Sequence, residues 1–184
     1  MSGPEQAPKF ELAQARELAE ALAQHGADYL FLGKAGAILL GYPGTTLDLD
    51  LFAPKDADNA RRCIAALRDL DFQIDPETEQ ALLSGKDFVQ IKDGPFDVDI
   101  IHAPDGIESF AAAKSRRIME DIFPIASLRD IIGSKKASNR KKDLVDMELL
   151  EEFAREYAAV NAQPLQSTFD KAMQRHQSDP PPSA

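Results

Sequence analysis

Apolar positions recur every three or four residues along several stretches of the chain, which predicts helices that bury one face. The first stretch covers about 10–25 and ends at Gly26, the second covers 57–71, and the third runs over about 143–157. A segment of small residues at 35–40 predicts a further short helix. These patterns are typical of helices that pack on a sheet.

Shorter apolar or alternating runs predict strands. Residues 29–32 form a brief, aromatic-containing apolar run that indicates a buried strand. Residues 47–51 alternate strictly between leucine and aspartate, as in a half-buried strand whose leucines point inward. The runs 88–91 and 96–101 flank an Asp-Gly turn, which predicts an antiparallel hairpin.

From about residue 106 the pattern again indicates helices, with breaks near 123–124 and 138–139. Ser127 precedes one of these helices as a candidate N-cap, and Asp130 takes the place of a capping-box acid three residues later.

The chain has 184 residues, enough for one domain of ordinary size, which we expect at 10–160. Residues 1–9 are expected to be disordered, and the Pro/Gln/Ser-rich segment 161–184 is expected to be a flexible tail. Within that tail, Phe169 and Met173 lie four residues apart and would form a short helix only on a partner.

The cysteine content, the lack of long apolar runs and the charge distribution indicate the compartment and the class of partner. The only cysteine, Cys63, lies in an apolar helical stretch and is predicted to be a buried small hydrophobe. No apolar run approaches the ~18 residues of a membrane span and the N-terminus lacks signal-peptide features, so we expect a cytoplasmic protein with no membrane partner. The net charge is −10, yet 114–142 holds nine Lys/Arg against three acids, a local +6 that favours a polyanionic partner.

Two aspartates on one predicted strand carry the candidate chemistry. Asp48 and Asp50 would project from the same face about 6–7 Å apart, close enough to bind a pair of Mg²⁺ ions ~3.5–4 Å apart. The second hairpin strand supplies a third acid, for which we favour Asp99 over Asp97. The alternative is a solvated acidic face without chemistry.

This arrangement resembles the nucleotidyltransferase superfamily, in particular small bacterial members related to the abortive-infection toxins of toxin-antitoxin systems. The family pattern is a Gly-Ser or Gly-Gly turn that opens a helix, a Thr-x-Asp-hydrophobic-Asp strand, and a third Asp on a neighbouring strand. The resemblance covers about 10–157 and implies an α/β (α+β) fold, a mixed sheet flanked by helices with a C-terminal helical segment. The matching positions are Gly33, Lys34, Thr46, Asp48, Asp50 and Asp99.

The later segments 128–135 and 140–146 are similar to the family's Leu-x-Asp-Leu-Ile-x-x-Lys and Arg-x-Lys-Asp-Leu-x-Asp stretches. The resemblance implies that Lys135 and Arg140 contact nucleotide phosphates, whereas a solvated helix face is the alternative. Lys34 departs from the family's Ser or Gly. It can contact phosphate as a point charge, or its bulk can close the site.

The implied reaction is transfer of a nucleoside monophosphate from an NTP to a hydroxyl, with release of pyrophosphate and with Mg²⁺ or Mn²⁺ as cofactor. Asp48 and Asp50 would bridge both ions and Asp99 would bind the ion nearer the acceptor, while backbone N–H groups after Gly33 hold the triphosphate. A tRNA, a protein side chain and a small metabolite all remain open as acceptors. A cognate partner protein, as in a toxin-antitoxin pair, is a further possible partner. The alternative is a catalytically degenerate member that acts as a binding or regulatory partner, with Lys34 as its sign.

Overall fold

The structure is a computed structural model that describes residues 11–138 and 143–161. Helices and strands alternate along these residues, which confirms the predicted α/β fold with a C-terminal helix. The predicted N-terminal disorder, the tail with its Phe169–Met173 helix, and Arg140 lie outside the described residues. The elements are α1 (Leu12–Gln24), β1 (Leu30–Leu32), α2 (Gly33–Leu39), β2 (Asp48–Phe52), α3 (Ala57–Asp69), α4 (Pro76–Leu83), β3 (Phe88–Ile91), β4 (Asp97–Ile101), α5 (Phe110–Ser115), β5 (Ile118–Glu120), β6 (Phe123–Ile125), α6 (Leu128–Ser138) and α7 (Asp143–Asn161).

The six strands form one mixed sheet in the order β3-β4-β2-β1-β6-β5. The pairs β2–β4 and β1–β6 are parallel, and the other neighbouring pairs are antiparallel. Strand β2 therefore has a hydrogen-bonded neighbour on each side, and its backbone is fixed along most of its length. The side chains of β2 are therefore held in position by a strand inside the sheet and not by a loop.

The face of the sheet that carries Leu49 and Leu51 forms part of the core. Leu49 and Leu51 are buried, as the alternating pattern predicts, and Phe31 on β1 packs edge-on against Phe123 of β6. Leu47 is an exception, because it is 51% exposed rather than inward. The ladder between β2 and β4 begins only at position 48, so no neighbouring strand covers the residue before it.

The predicted helices and hairpin are confirmed, with α1 and α3 close to their expected bounds and β3 antiparallel to β4. Helix α4 was not predicted. Its signal was nevertheless present, because Asp75 is an N-cap whose carboxylate accepts the Thr78 N–H at 2.7 Å, and Pro76 occupies the first turn. This N–H bond is the first cause that lowers the pKa of Asp75.

The expectation of helices beyond residue 106 is wrong for 118–125. Helix α5 stops at Ser115, and β5 and β6 then form an antiparallel hairpin that extends the sheet beyond β1. Phe123 and Ile125 are buried, and Pro124 between them cannot continue a helix. Strands this short offer too few positions for a period to be visible in the sequence.

Two further expectations concern burial and membranes. Cys63 is buried, and burial raises the pKa of its thiol to about 12, so it is an inert core side chain as predicted. Within the described ranges, no helix combines the length and the apolar character that crossing a membrane requires.

Candidate functional site

The parallel register of β2 and β4 brings the predicted acids together. Asp48 lies opposite Asp97 and Asp50 lies opposite Asp99. Register partners in neighbouring strands point to the same side of a sheet, so all four side chains share one side, which we call the carboxylate face. The predicted juxtaposition of the Asp48–Asp50 doublet with acids from the hairpin is confirmed.

Asp99 is the most deeply placed of the four, with only 7% of the residue exposed. Burial and then the negative charge of Asp48 raise the pKa of Asp99 to about 6. A hydrogen bond from the side chain of Gln90, its register partner on β3, acts in the opposite direction. The ionised carboxylate face is thus under mutual repulsion that a bound cation would relieve.

The turn between β1 and α2 touches this face directly. Gly33 has a φ of +63°, and a Cβ at this position would lie 2.0 Å from Oδ2 of Asp50. Leu32, the preceding residue, is the register partner of Asp50 on β1. Glycine is therefore required at position 33 for two reasons: the backbone is in the left-handed region, and a carboxylate lies where a Cβ would be.

The other two residues of the predicted turn and strand motif make contacts within the protein. Thr46 is half-buried, and its hydroxyl donates a long hydrogen bond of 3.4 Å to the carbonyl oxygen of Asp48. The Lys34 ammonium pairs with the carboxylate of Asp146 on α7, with 3.0 Å between Nζ and Oδ2. No functional role was predicted for Asp146, although it ends the second family-like stretch.

Lys34 and Lys135, which the sequence placed far apart, line the same small cleft between α2, α6 and α7. We call it the lysine cleft. Its lining residues are Lys34, Ala37, Tyr42, Lys135, Asp146 and Leu150.

Several cations of the positive segment 114–142 form ion pairs in the part of the chain that the structure describes. One of the paired acids, Asp130, belongs to the segment itself and is already included in the count of +6. The other paired acids come from outside the segment, so +6 overstates the positive charge of this surface. Polyanion binding by this segment stays a prediction with less support than the charge count suggested. The pairs are Lys114–Asp28, Arg116–Glu108, Arg116–Asp130, Arg129–Glu108 and Lys136–Glu151.

The predicted cap of α6 is confirmed and belongs to a larger network. Ser127 Oγ accepts the N–H of Asp130 at 3.2 Å and donates to its carboxylate at 2.8 Å. The Arg116 guanidinium adds two bonds to the same carboxylate, at 2.7 and 3.2 Å. Asp130 is only 3% exposed, yet it is fully bonded.

The carboxylate face supplies oxygen ligands of the kind that Mg²⁺ and Mn²⁺ prefer. Over residues 11–138 and 143–161, however, no three His, Cys, Asp or Glu side chains are grouped closely enough to hold an ion by themselves. Magnesium commonly takes one or two carboxylates and completes its octahedron with water and substrate phosphates. Asp48, Asp50 and Asp99 fit that incomplete type of site, in which ion and phosphate bind together.

No family model matches the chain, and no curated protein sequence matches it. The crystal structure of JHP933 from Helicobacter pylori is similar to it, with 18% sequence identity and a TM-score of 0.46 over 85% of this chain and 70% of that one. A likeness at this level says nothing about activity, so a functional conclusion has to come from the carboxylate face and its surroundings.

Proposed function

We propose that this protein is a metal-dependent nucleotidyltransferase that moves a nucleoside monophosphate from an NTP to a hydroxyl acceptor. The observation that carries the proposal is the meeting of three predicted parts at one place. Asp48 and Asp50 on β2 face the same side as Asp99 on β4, and Gly33 lies against the Asp50 carboxylate. These parts come from three separate segments of the chain, and the pairing of β1, β2 and β4 brings them together.

The charge state of the face supports a cation-binding role. Asp99 is buried beside Asp48, an arrangement that raises its pKa and opposes folding when both are ionised. In the described part of the chain, no cationic side chain lies within ion-pair distance of Asp48 or Asp99; Lys92 acts on Asp99 only from farther away. A buried carboxylate without a cation is unfavourable unless a ligand supplies the charge.

In the proposed reaction, Asp48 and Asp50 hold the divalent cations together with the NTP phosphates, and Asp99 lies on the acceptor side. Mg²⁺ or Mn²⁺ held by these residues would neutralise phosphate charge and favour loss of the acceptor's proton to solvent. The acceptor oxygen then forms a bond to the α-phosphorus as the bond to the bridging oxygen breaks, and pyrophosphate leaves. The three aspartates fix the reacting groups in line, which is the main contribution a protein makes to this chemistry.

Calorimetry tests the proposal. The wild-type protein should bind ATP, or another NTP, in the presence of Mg²⁺ and lose that affinity in EDTA, because phosphate and carboxylates repel each other without a cation. Asp50→Asn should lose Mg²⁺-dependent binding. Asp93→Asn, which removes the same charge from the exposed turn before β4, should keep it. Equal affinity with Mg²⁺ and with EDTA would rule out the metal site.

The acceptor requires a separate experiment. Labelled NTPs are incubated with the protein and total cell extract, and RNA, protein and small molecules are then separated. Label in one fraction identifies the acceptor class, whether tRNA, protein or metabolite. A protein acceptor or a cognate partner would agree with a role in a toxin-antitoxin system.

A second candidate function is non-catalytic binding of a partner protein. One observation favours it: Lys34 stands where the family has Ser or Gly, and it is already paired with Asp146. Absence of label from every fraction, with Mg²⁺ and with Mn²⁺, would favour this second function.

A further inference from the structure

The side chain of Lys34 is held in a defined path between two parts of the fold. It is 28% exposed, and its ammonium pairs with Asp146 at 3.0 Å. Near its end the stem passes Gly44, where a Cβ would lie 3.2 Å from Cε of the lysine. The loop before β2 therefore lies on one side of the Lys34 stem, and α7 binds its charged end.

The backbone of Lys34 lies beside the proposed nucleotide site. Lys34 directly follows Gly33, the residue whose backbone touches the Asp50 carboxylate. A lysine at such a position attracts anions, because an ammonium is a compact charge with three donors. Here that charge is neutralised by a carboxylate 112 residues away along the chain. An anionic ligand that uses Lys34 must first take the place of Asp146.

We propose that Asp146 is an internal competitor for Lys34, and that the polyphosphate of a nucleotide binds by displacing it. This inference rests on the proposed function for the identity of the ligand. Its consequence is that the Lys34–Asp146 pair lowers the resting affinity for polyphosphate, and that ligand binding releases α7 from α2.

A purely structural role for the pair is less consistent with its surroundings. Helix α7 is already tied to α6 by the Lys136–Glu151 ion pair, and Phe153 of α7 packs edge-on against Tyr42. The lysine cleft is also lined by Lys135 of α6, which ends the first of the two family-like stretches. Cations from two different helices therefore line the cleft that contains Asp146, an arrangement suited to a polyanion.

The test compares Asp146→Asn, Lys34→Met and the double variant of the full chain by calorimetry with ATP and with inorganic tripolyphosphate, each with Mg²⁺. Asp146→Asn should tighten both ligands by about fivefold, the factor that corresponds to roughly 1 kcal/mol for a partly exposed ion pair. Lys34→Met should weaken both, and in its presence Asp146→Asn should have no further effect. This dependence on Lys34 is a readout that general loosening of α7 would not produce.

Glu151→Gln is the matched control, because it removes one negative charge from the same helix by breaking the Lys136–Glu151 pair. Glu151→Gln should bind both ligands with the affinity of the wild type. If it bound them as much more tightly as Asp146→Asn does, the effect would belong to net charge and the inference would be overturned. If Asp146→Asn bound ATP more tightly but tripolyphosphate no more tightly than the wild type does, the polyphosphate assignment would be overturned. Should Asp146→Asn fail to fold, Asp146→Ser serves in its place.

The competitor role of Asp146 and the proposed nucleotidyltransferase function are contradicted by different results. If the wild type binds Mg²⁺–ATP and Asp146→Asn binds it no more tightly, the competitor role is wrong and the proposed function stands. If neither the wild type nor any variant binds Mg²⁺–ATP, the proposed function is wrong and the competitor role falls with it.

Discussion

Two buried aspartates in this protein have opposite surroundings. Asp130 at the start of α6 is 3% exposed and accepts bonds from Arg116 and Ser127. Asp99 on β4 is 7% exposed and faces Asp48, with Gln90 as its hydrogen-bond donor. The first carboxylate is neutralised by the chain itself. The second has no such cationic partner in the described part of the chain, and its burial beside another acid raises its pKa.

The comparison separates architecture from function. A buried charge contributes to a stable fold only when a partner compensates for its loss of hydration, as Arg116 does for Asp130. At Asp99 the protein keeps a carboxylate where an amide would be less unfavourable. Such a position is expected where ligand binding, rather than stability of the free protein, is the selected property. Substitutions at the two places should therefore act in opposite directions.

The largest effect is expected for Asp130→Ala. Removing this side chain takes away the hydrogen bond from Ser127 Oγ and both bonds from Arg116, which keeps only its pair with the exposed Glu108. Losing one member of a buried pair costs about 3–5 kcal/mol. Since Arg116 is 25% exposed, we expect the lower end, about 3 kcal/mol. Urea denaturation measures it. The exposed Glu148→Ala serves as reference, and a loss no greater than its own would contradict the paired state of Asp130.

Gly33→Ala should come next and is the sharpest test of the carboxylate face. Gly26 has the same φ of +63° with no atom within 4 Å of a Cβ, so Gly26→Ala isolates the backbone term of about 1 kcal/mol. At Gly33 the new methyl also meets Asp50, so we expect about 2–3 kcal/mol in total. Thermal melting compares the two variants. Equal losses would mean that Asp50 does not lie against this turn.

A smaller effect is expected for pH. Because the folded pKa of Asp99 is raised to about 6, the folded state holds this proton more tightly than the unfolded state between about pH 4 and 6. Stability in EDTA should therefore rise, on the order of 2 kcal/mol, as the pH falls from 7 to 4, and the gain is absent above the folded pKa. Asp99→Asn should lose this increment while other acids titrate as before. An unchanged pH profile in Asp99→Asn would show that Asp99 is not the group responsible.

The smallest expected change belongs to Asp48→Asn. Relief of repulsion at the carboxylate face should leave the melting temperature in EDTA equal or higher, by less than about 1 kcal/mol of stability. The same variant should lack the stabilisation that we expect Mg²⁺ with ATP to give the wild type, because only binding to the native state raises apparent stability. A marked fall in EDTA would place Asp48 with Asp130 as a structural residue.

Local patterns were enough to predict much of this molecule. The alternation at 47–51 located Asp48 and Asp50 on one side of a strand, and the Asp-Gly turn located the hairpin that carries Asp99. The strands β5 and β6 were missed because three residues carry no readable period.

Tertiary pairing was beyond the sequence for a different reason. The Lys34–Asp146 and Lys114–Asp28 ion pairs join residues from distant parts of the chain. Charge counted along a sequence is not charge counted over a surface. Nothing in the local pattern around Lys34 or Asp146 names the other as its partner.

The parallel pairing of β2 with β4 also determines when the site can come into being. Helices α3 and α4 and strand β3 lie between these strands in the chain, so the doublet on β2 is made long before its partner strand during synthesis. Closing this long loop is entropically unfavourable, and docking β4 also brings Asp97 and Asp99 against Asp48 and Asp50. The nascent chain therefore has no complete carboxylate face until β4 has docked, and the repulsion within that face arises at that step of folding.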